Sequence, residues 1–280
     1  MRRWYRPTDL SEALDALAAQ RWAIVAGGTD HYPARLGSPD QEDVLDISAL
    51  DGFRDIETGP DGLLIPCGAT WTDILRADLP PALDGLRAAA RQVGGVQIQN
   101  RATLIGNLCN ASPAADGIPN LLALDARVIL QSAGGRRELQ VQDFVLGNRR
   151  TARRENELAT GLRVTTPTAT ARGAFLKLGA RRYLVISIAM VALVLDLGEG
   201  GYVRNARVAV GACNAAAVRL PSLEAALVGQ APSRQVLTEA HLAPLAPIDD
   251  VRGPAAYRMD AVRELIARGL DGFAARRHAA

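Results

Sequence analysis

The stretch on which the fold turns is Gln97-Ile98-Gln99-Asn100-Arg101-Ala102-Thr103-Leu104-Ile105-Gly106-Asn107-Leu108-Cys109-Asn110-Ala111-Ser112-Pro113-Ala114-Ala115-Asp116. It lies within residues 94–120, which also carry Gly94, Gly95 and Gly117. Amides are frequent here, hydrophobic periodicity is weak, and the segment reads as a long irregular loop. A polar, glycine-bearing loop of this length inside a compact domain usually carries function. Gly106-Asn107 follows Thr103, with Asn110, Ser112 and Asp116 close behind. Together they offer N–H donors and amide groups for a pyrophosphate or a polyhydroxyl chain, and one carboxylate for hydroxyls or a ring N–H.

Upstream, the run Trp22 to Ala26 ends in a second glycine turn, Val25-Ala26-Gly27-Gly28-Thr29-Asp30. Glycines there let the backbone turn with positive φ and let a phosphate approach bare N–H groups. An ordinary strand-to-loop turn uses the same residues, and a G-x-G-x-x-G dinucleotide fingerprint is absent. Two such segments at strand ends can clamp one extended ligand from both sides.

Around these turns helices and strands alternate with short connections, the pattern of an α/β or α+β layer. Residues 9–19 read as a helix, with Asp9 and Glu12 as a capping-box-like start and Leu10, Ala13, Leu14, Leu17 and Ala18 as one apolar stripe. Val44 to Ile47 and Leu63 to Ile65 read as strands. Thr70 caps a helix running to Leu79, and a further helix runs to about Gln92. A strand Ala126 to Leu130, a turn at Gly134-Gly135 and a strand near Glu138 to Val141 follow. Arginines then cluster at Arg149, Arg150, Arg153 and Arg154, read as solvated charge or a partner contact. Thr165 to Ala171 is a Pro- and Thr-rich joint, where we place a domain boundary. Beyond it, Ala174 to Leu178, Val185 to Leu195 and Tyr202 to Ala212 read as three long strands, and residues 223–228 and 258–275 as helices.

Composition excludes several classes. The formal net charge is +2 with acids and bases interspersed, so nothing points to nucleic acid or an anionic membrane. The longest apolar run, Val185 to Leu195, is too short to span a bilayer. Residues Met1 to Pro7 carry charge without an apolar h-region, so no secretory signal is expected. Cys67, Cys109 and Cys213 are far apart with no CxxC pair, which argues against disulfides and against an iron–sulfur or zinc site made by this chain. His241 and His278 have no ligand partners nearby in sequence. A cytoplasmic protein is expected. Of 32 Lys and Arg residues only Lys177 is a lysine; codon usage accounts for the depletion but not for the position of the one that remains.

The two glycine segments, together with Phe175-Leu176-Lys177-Leu178-Gly179-Ala180-Arg181-Arg182 and Asp249-Asp250-Val251-Arg252-Gly253-Pro254-Ala255-Ala256-Tyr257-Arg258, resemble the FAD-binding medium subunit of the xanthine dehydrogenase / carbon monoxide dehydrogenase family of molybdenum hydroxylases. The resemblance covers nearly the whole chain. It implies an α+β fold: a two-lobed, PCMH-like FAD-binding domain over residues 1–171, then a smaller C-terminal domain over residues 172–280 with a three-stranded antiparallel sheet and helices. FAD would lie extended between the lobes, its pyrophosphate at Val25, Ala26, Gly27, Gly28, Thr29 and Asp30 and around Thr103, Gly106 and Asn107. Asn110 and Asp116 would lie near the ribityl chain and flavin, and Lys177 beside the isoalloxazine, where an ammonium stabilises negative charge on the reduced ring.

As implied partners, a molybdopterin-binding large subunit would oxidise the substrate. A small subunit with two [2Fe-2S] clusters would pass electrons to the FAD and on to an acceptor such as NAD, in a dimer of heterotrimers. No catalytic residue and no metal ligand is expected in this chain. Departures from the family pattern are Ile105, where glycine is usual and whose side chain should restrict approach to phosphate; Gln99, where arginine is usual; and the apolar Tyr183-Leu184-Val185-Ile186, where many relatives carry acids. They motivate the alternative of a structural subunit that has lost FAD. A stand-alone flavoprotein oxidase is a further alternative, though no substrate base is evident.

Overall fold

The computed structural model describes residues 3–35, 42–59 and 62–277; Met1, Arg2 and His278 lie outside the described residues. Three larger sheets and a two-stranded hairpin organise the described residues. The first is a small parallel sheet. Strand β1 (Trp4–Tyr5) leads to helix α1 (Leu10–Ala19), then β2 (Ala23–Val25) and β3 (Val44–Asp46), in the order β1-β3-β2. Asp9 caps α1 by accepting the Ser11 N–H, and Ala13, Leu14 and Leu17 turn into the core.

The second sheet is antiparallel and five-stranded. It is built from β4 (Glu57–Gly59), β5 (Gly62–Pro66), β6 (Arg127–Ser132), β7 (Gly135–Gln140) and β10 (Leu158–Val164), in the order β4-β5-β10-β6-β7. Between β5 and β6 run five helices: α2 (Trp71–Arg76), α3 (Asp84–Ala90), α4 (Val96–Gln99), α5 (Leu104–Asn110) and α6 (Gly117–Ala123). Thr70 and Asp73 form a reciprocal capping box at α2. That helix stops at Arg76 rather than Leu79, because Ala77 is already extended ahead of the prolines. After β7 come α7 (Val141–Phe144) and the hairpin β8 (Val145–Gly147) and β9 (Arg150–Thr151). Val141 therefore opens a helix instead of ending a strand.

Two expectations are corrected here. Residues 94–120 are not an irregular loop but hold α4, α5 and most of α6. Leu104, Ile105 and Leu108 bury one side of α5, and Ile118, Leu121 and Leu122 help bury α6, a pattern that the intervening amides obscure. Strand β10, buried at every position but Arg163, was not anticipated at all, yet it is the centre of its sheet.

The third sheet has β11 (Ala171–Leu178), β12 (Ala189–Leu197) and β13 (Val203–Gly211), the three long antiparallel strands expected, plus a two-residue edge strand β14 (Val218–Arg219) that makes it four-stranded. Residues Val185 to Ile188 belong to the β11–β12 connection, not to β12. The period-2 geometry of β12 divides its side chains between two cores. Met190 and Ala192 join the core of the first two sheets, while Ala189, Val191, Leu193 and Leu195 join a second core under α8 (Pro221–Leu227) and α9 (Ala255–Arg277). Arg258, buried in α9, donates to the carbonyls of Ile188 (2.6 Å) and Ala212 (3.0 Å) and to the Asp250 carboxylate (2.6 Å), fixing α9 on the sheet.

Candidate functional site

A cleft of about 730 Å³ opens between the end of β2 and helix α5, within the size range of ligand sites. One wall is the turn after Val25. Gly28 has φ +72°, and a side chain on Gly27 would place Cβ 1.9 Å from the Arg101 carbonyl oxygen. Only glycine allows this backbone-to-backbone contact between the two walls. The backbone N–H groups of Gly27, Gly28, Thr29 and Asp30 have no acceptor among the described residues. Four open donors in a row on a glycine turn form an anion-binding concavity.

The other wall begins at Thr103, whose Oγ1 accepts the Gly106 N–H at 2.9 Å and caps α5. Backbone bonds Trp71 N–H to Ala102 O (3.1 Å) and Leu104 N–H to Ala69 O (3.2 Å) hold it in place. Gly106 and Asn107 thus sit on a helix. The Asn107 side-chain oxygen accepts the Gly117 N–H at 3.1 Å, tying α5 to α6. Ile105 is 4% exposed and lies in the core against the cleft, so most of its side chain points away from the space a ligand would take.

Of the twelve residues named from the sequence, Val25, Ala26, Gly27, Gly28, Thr29, Asp30, Thr103, Gly106, Asn107 and Asn110 line this one cleft. Asp116 and Lys177 do not. They form a buried ion pair, Lys177 Nζ to Asp116 Oδ2 at 2.6 Å, with side chains 5% and 6% exposed. The Ser187 hydroxyl donates to Asp116 Oδ1 at 2.6 Å, and Lys177 donates again to the Val185 carbonyl at 3.3 Å. Burial pushes the Asp116 carboxyl above its ordinary pKa, against the Lys177 ammonium and the Ser187 hydroxyl, which favour the ionised form. Ile186, between the two anchored residues, lines the cleft. The pair therefore sets the wall from behind.

Trp71, Arg21, Arg149 and Arg153 also line the cleft, and none of them is assigned a ligand role from the sequence. Trp71, fully buried, leaves its indole N–H without an acceptor among the described residues. Arg149 and Arg153 come from the arginine cluster, and Arg21 from the connection between α1 and β2. The doubled arginines were the available signal, and their spacing alone said nothing of a cleft. Cys67 and Cys109 also line it, but desolvation pushes their thiols up to about 12 and about 11, so neither is a nucleophile at neutral pH. His31 packs edge-on against Tyr32 at 5.1 Å, and His241 Nδ1 accepts the Thr238 N–H. Among the described residues no group of three His, Cys, Asp or Glu is placed to hold a metal ion, and no helix is long and apolar enough to cross a membrane. A cleft of this size with a row of open N–H donors, arginines in its lining and an orphaned indole donor fits a diphosphate-bearing dinucleotide.

Comparison with known proteins leads to the same ligand. The family model for the FAD binding domain in molybdopterin dehydrogenase matches residues 1–167, and that for the CO dehydrogenase flavoprotein C-terminal domain matches residues 174–272. The chain is 30% identical over 277 residues to the nicotine 6-hydroxylase medium subunit of Paenarthrobacter nicotinovorans, covering 96% of this chain and 95% of the relative. It is 32% identical over 236 residues to the nicotinate dehydrogenase FAD-subunit of Eubacterium barkeri, covering 81% and 79%. Among solved structures, carbon monoxide dehydrogenase from Hydrogenophaga pseudoflava superposes with a TM-score of 0.87 at 26% identity, over 99% of this chain and 98% of that one.

Proposed function

The chain belongs to the family of FAD-binding medium subunits of molybdenum hydroxylases, and from that premise we propose that it is the electron-transfer subunit of such a complex. The observation that carries this reading is the clasp of the Gly27–Asp30 turn, with its open N–H groups, against the α5 wall. FAD supplies a two-electron carrier that can accept electrons singly from iron–sulfur clusters and release them as a pair. The chain's own contribution is to bind and orient it.

The N–H groups of Gly27, Gly28, Thr29 and Asp30 would take the pyrophosphate. Thr103, Gly106, Asn107 and Asn110 would form the facing wall. Asp116 and Lys177, through Val185 and Ser187, would set Ile186 at the ring end and keep water from that wall. We take residues 1–171 as the FAD-holding unit and 172–280 as the unit that closes it. A molybdopterin-binding large subunit and a [2Fe-2S] small subunit would complete a dimer of heterotrimers in the cytoplasm, with NAD as the first acceptor to test. The three cysteines are unpaired, as a reducing compartment allows.

The test is direct. Purified chain incubated with FAD and desalted should retain flavin absorbance. Co-expressed with its partner subunits, that flavin should be reduced by substrate and reoxidised by NAD. No bound flavin overturns the reading and leaves a structural subunit; flavin that NAD fails to reoxidise overturns the acceptor alone.

A further inference from the structure

We propose that Arg149 is a binding residue for the dinucleotide's pyrophosphate, held over the cleft by Asp30 until the ligand arrives. This rests on the FAD reading above and goes beyond it in assigning a cation to the phosphates.

Arg149 occupies the tip of the β8–β9 hairpin with φ +55°. An L residue other than asparagine or aspartate is sterically disfavoured there, and such conformations persist where the surroundings over-determine them. The surroundings are visible. The Arg149 N–H donates to the Ala111 carbonyl at 3.2 Å, and Ala111 is the left-handed residue (φ 48°) that ends the cleft helix α5. The hairpin tip is thus pinned to the α5 wall, and its guanidinium reaches across to the opposite wall. There it lies 3.2 Å from the Asp30 carboxylate, both side chains being more than half exposed.

Asp30 closes the turn whose N–H groups await an anion. Left alone, its carboxylate would repel a diphosphate approaching those donors. Arg149 cancels that charge. Of the other arginines on the cleft, Arg21 faces Glu155 at 3.5 Å and Arg153 places one nitrogen on the carbonyls of Arg154, Glu155 and Glu157, so of these three Arg149 is the one paired, among the described residues, with the Gly27–Asp30 turn. Asp30 is the one partner Arg149's guanidinium has among the described residues. An exposed single-contact pair is weak, whereas a guanidinium binds phosphate oxygens through two parallel hydrogen bonds. Exchange of Asp30 for pyrophosphate is therefore downhill, and it places the planar cation opposite the Gly27–Asp30 donors.

The experiment titrates the full-length apo chain with FAD, and separately with riboflavin, which has no phosphate, following flavin fluorescence at low and high salt. R149Q should weaken FAD by roughly ten- to a hundredfold, the worth of a charge-assisted bond pair, and flatten the salt dependence, while leaving riboflavin binding and Tm as in wild type. D30N should tighten FAD by a few-fold, and R149Q/D30N should recover part of the R149Q loss. FAD binding by R149Q equal to wild type, or an equal loss for riboflavin, overturns the proposal and leaves Arg149 a hairpin-tip residue. Wild-type chain that binds no FAD overturns the FAD reading itself, and this proposal with it.

Discussion

Replacing Lys177 by Met tests whether the Lys177–Asp116 pair is sealed from water. Met keeps most of the stem volume and removes the ammonium, leaving the Asp116 carboxyl with only the Ser187 hydroxyl as a strong donor. Two responses compete. If the carboxylate stays ionised, breaking a buried pair costs about 3–5 kcal/mol. If it takes up a proton, the cost at pH 7 is about 1.4 kcal/mol for each unit above the unfolded value near 3.9, roughly 4 kcal/mol. The cheaper response sets the loss, so K177M should be less stable by about 3–4 kcal/mol at pH 7. The sign of the pH dependence follows. Burial already raises the folded carboxyl, and removing Lys177 raises it further, so the folded variant keeps a proton that the unfolded chain has released. Its deficit against wild type therefore grows as pH rises, by up to about 1.4 kcal/mol per unit, and at pH 5 has shrunk to about 1.5 kcal/mol. Urea unfolding of both proteins from pH 5 to 8 measures this, and K177M/D116N, with neither charge, should recover most of the loss. A deficit that does not change with pH, or one under about 1 kcal/mol at pH 7, would mean that water reaches the carboxylate and the reasoning is wrong.

Gly27→Ala drives a methyl group into the Arg101 carbonyl, so the two walls must separate. FAD titration should show binding lost, and the melting temperature should fall with it. Glu157 is buried, which alone would raise its carboxyl, but the Arg137 guanidinium (2.7 and 2.8 Å) and the Arg154 N–H (2.7 Å) outweigh burial and hold it below the usual range. Its stabilisation is present above the unfolded pKa and disappears as pH falls through the lowered folded value. E157Q should therefore cost about 1–3 kcal/mol at pH 7 and approach wild type at the acid end of a urea series. Arg258→Ala takes one donor each from the Ile188 and Ala212 carbonyls and from the Asp250 carboxylate, which keeps the Arg252 N–H and guanidinium. It should destabilise the chain by about 2–3 kcal/mol, from buried carbonyls that lose a charged donor, with amide exchange in α9 accelerating first.

What could be read in the sequence followed from strong local pattern. Helix α1 shows its apolar stripe and its cap, and β11, β12 and β13 are long apolar runs separated by glycine turns. Strand β10 had neither advantage. Leu158-Ala159-Thr160-Gly161-Leu162-Arg163-Val164 is short, holds a glycine, and follows a cluster of charge. Its identity as the central strand depends on pairing with β5 and β6, which lie some distance away in sequence. The helices inside residues 94–120 were hidden for a related reason: they are four to seven residues long, with no buried residue in α4, three in α5 and burial on every side of α6, so no period emerges. At the site, the glycine turn and the α5 wall could be found because close backbone approach demands particular residue types. Arg149 could not be, because its place over the cleft comes from a left-handed hairpin tip pinned to Ala111, a contact between segments rather than a pattern within one.

The one lysine shows how tertiary structure alters a residue's meaning. The family resemblance implies a cation beside the flavin. In the fold, Lys177 has its countercharge 2.6 Å away. An ammonium and a carboxylate at that distance present a dipole to anything beyond them, and a dipole's field falls off faster than that of a single charge. Whatever Lys177 does to a bound ring must therefore act through the orientation of the pair or through a direct hydrogen bond. The pair's position gives it another role. Asp116 stands at the start of α6, while Lys177 and Ser187 flank the β11–β12 connection, so the contact joins the cleft-bearing part of the chain to the C-terminal sheet. Arginine in place of Lys177 would keep the charge, but its planar fork would not fit the single-point contacts to Asp116 Oδ2 and the Val185 carbonyl. In a chain whose every other Lys or Arg is an arginine, the one ammonium stands at a buried site with a single carboxylate oxygen and a single carbonyl as its partners.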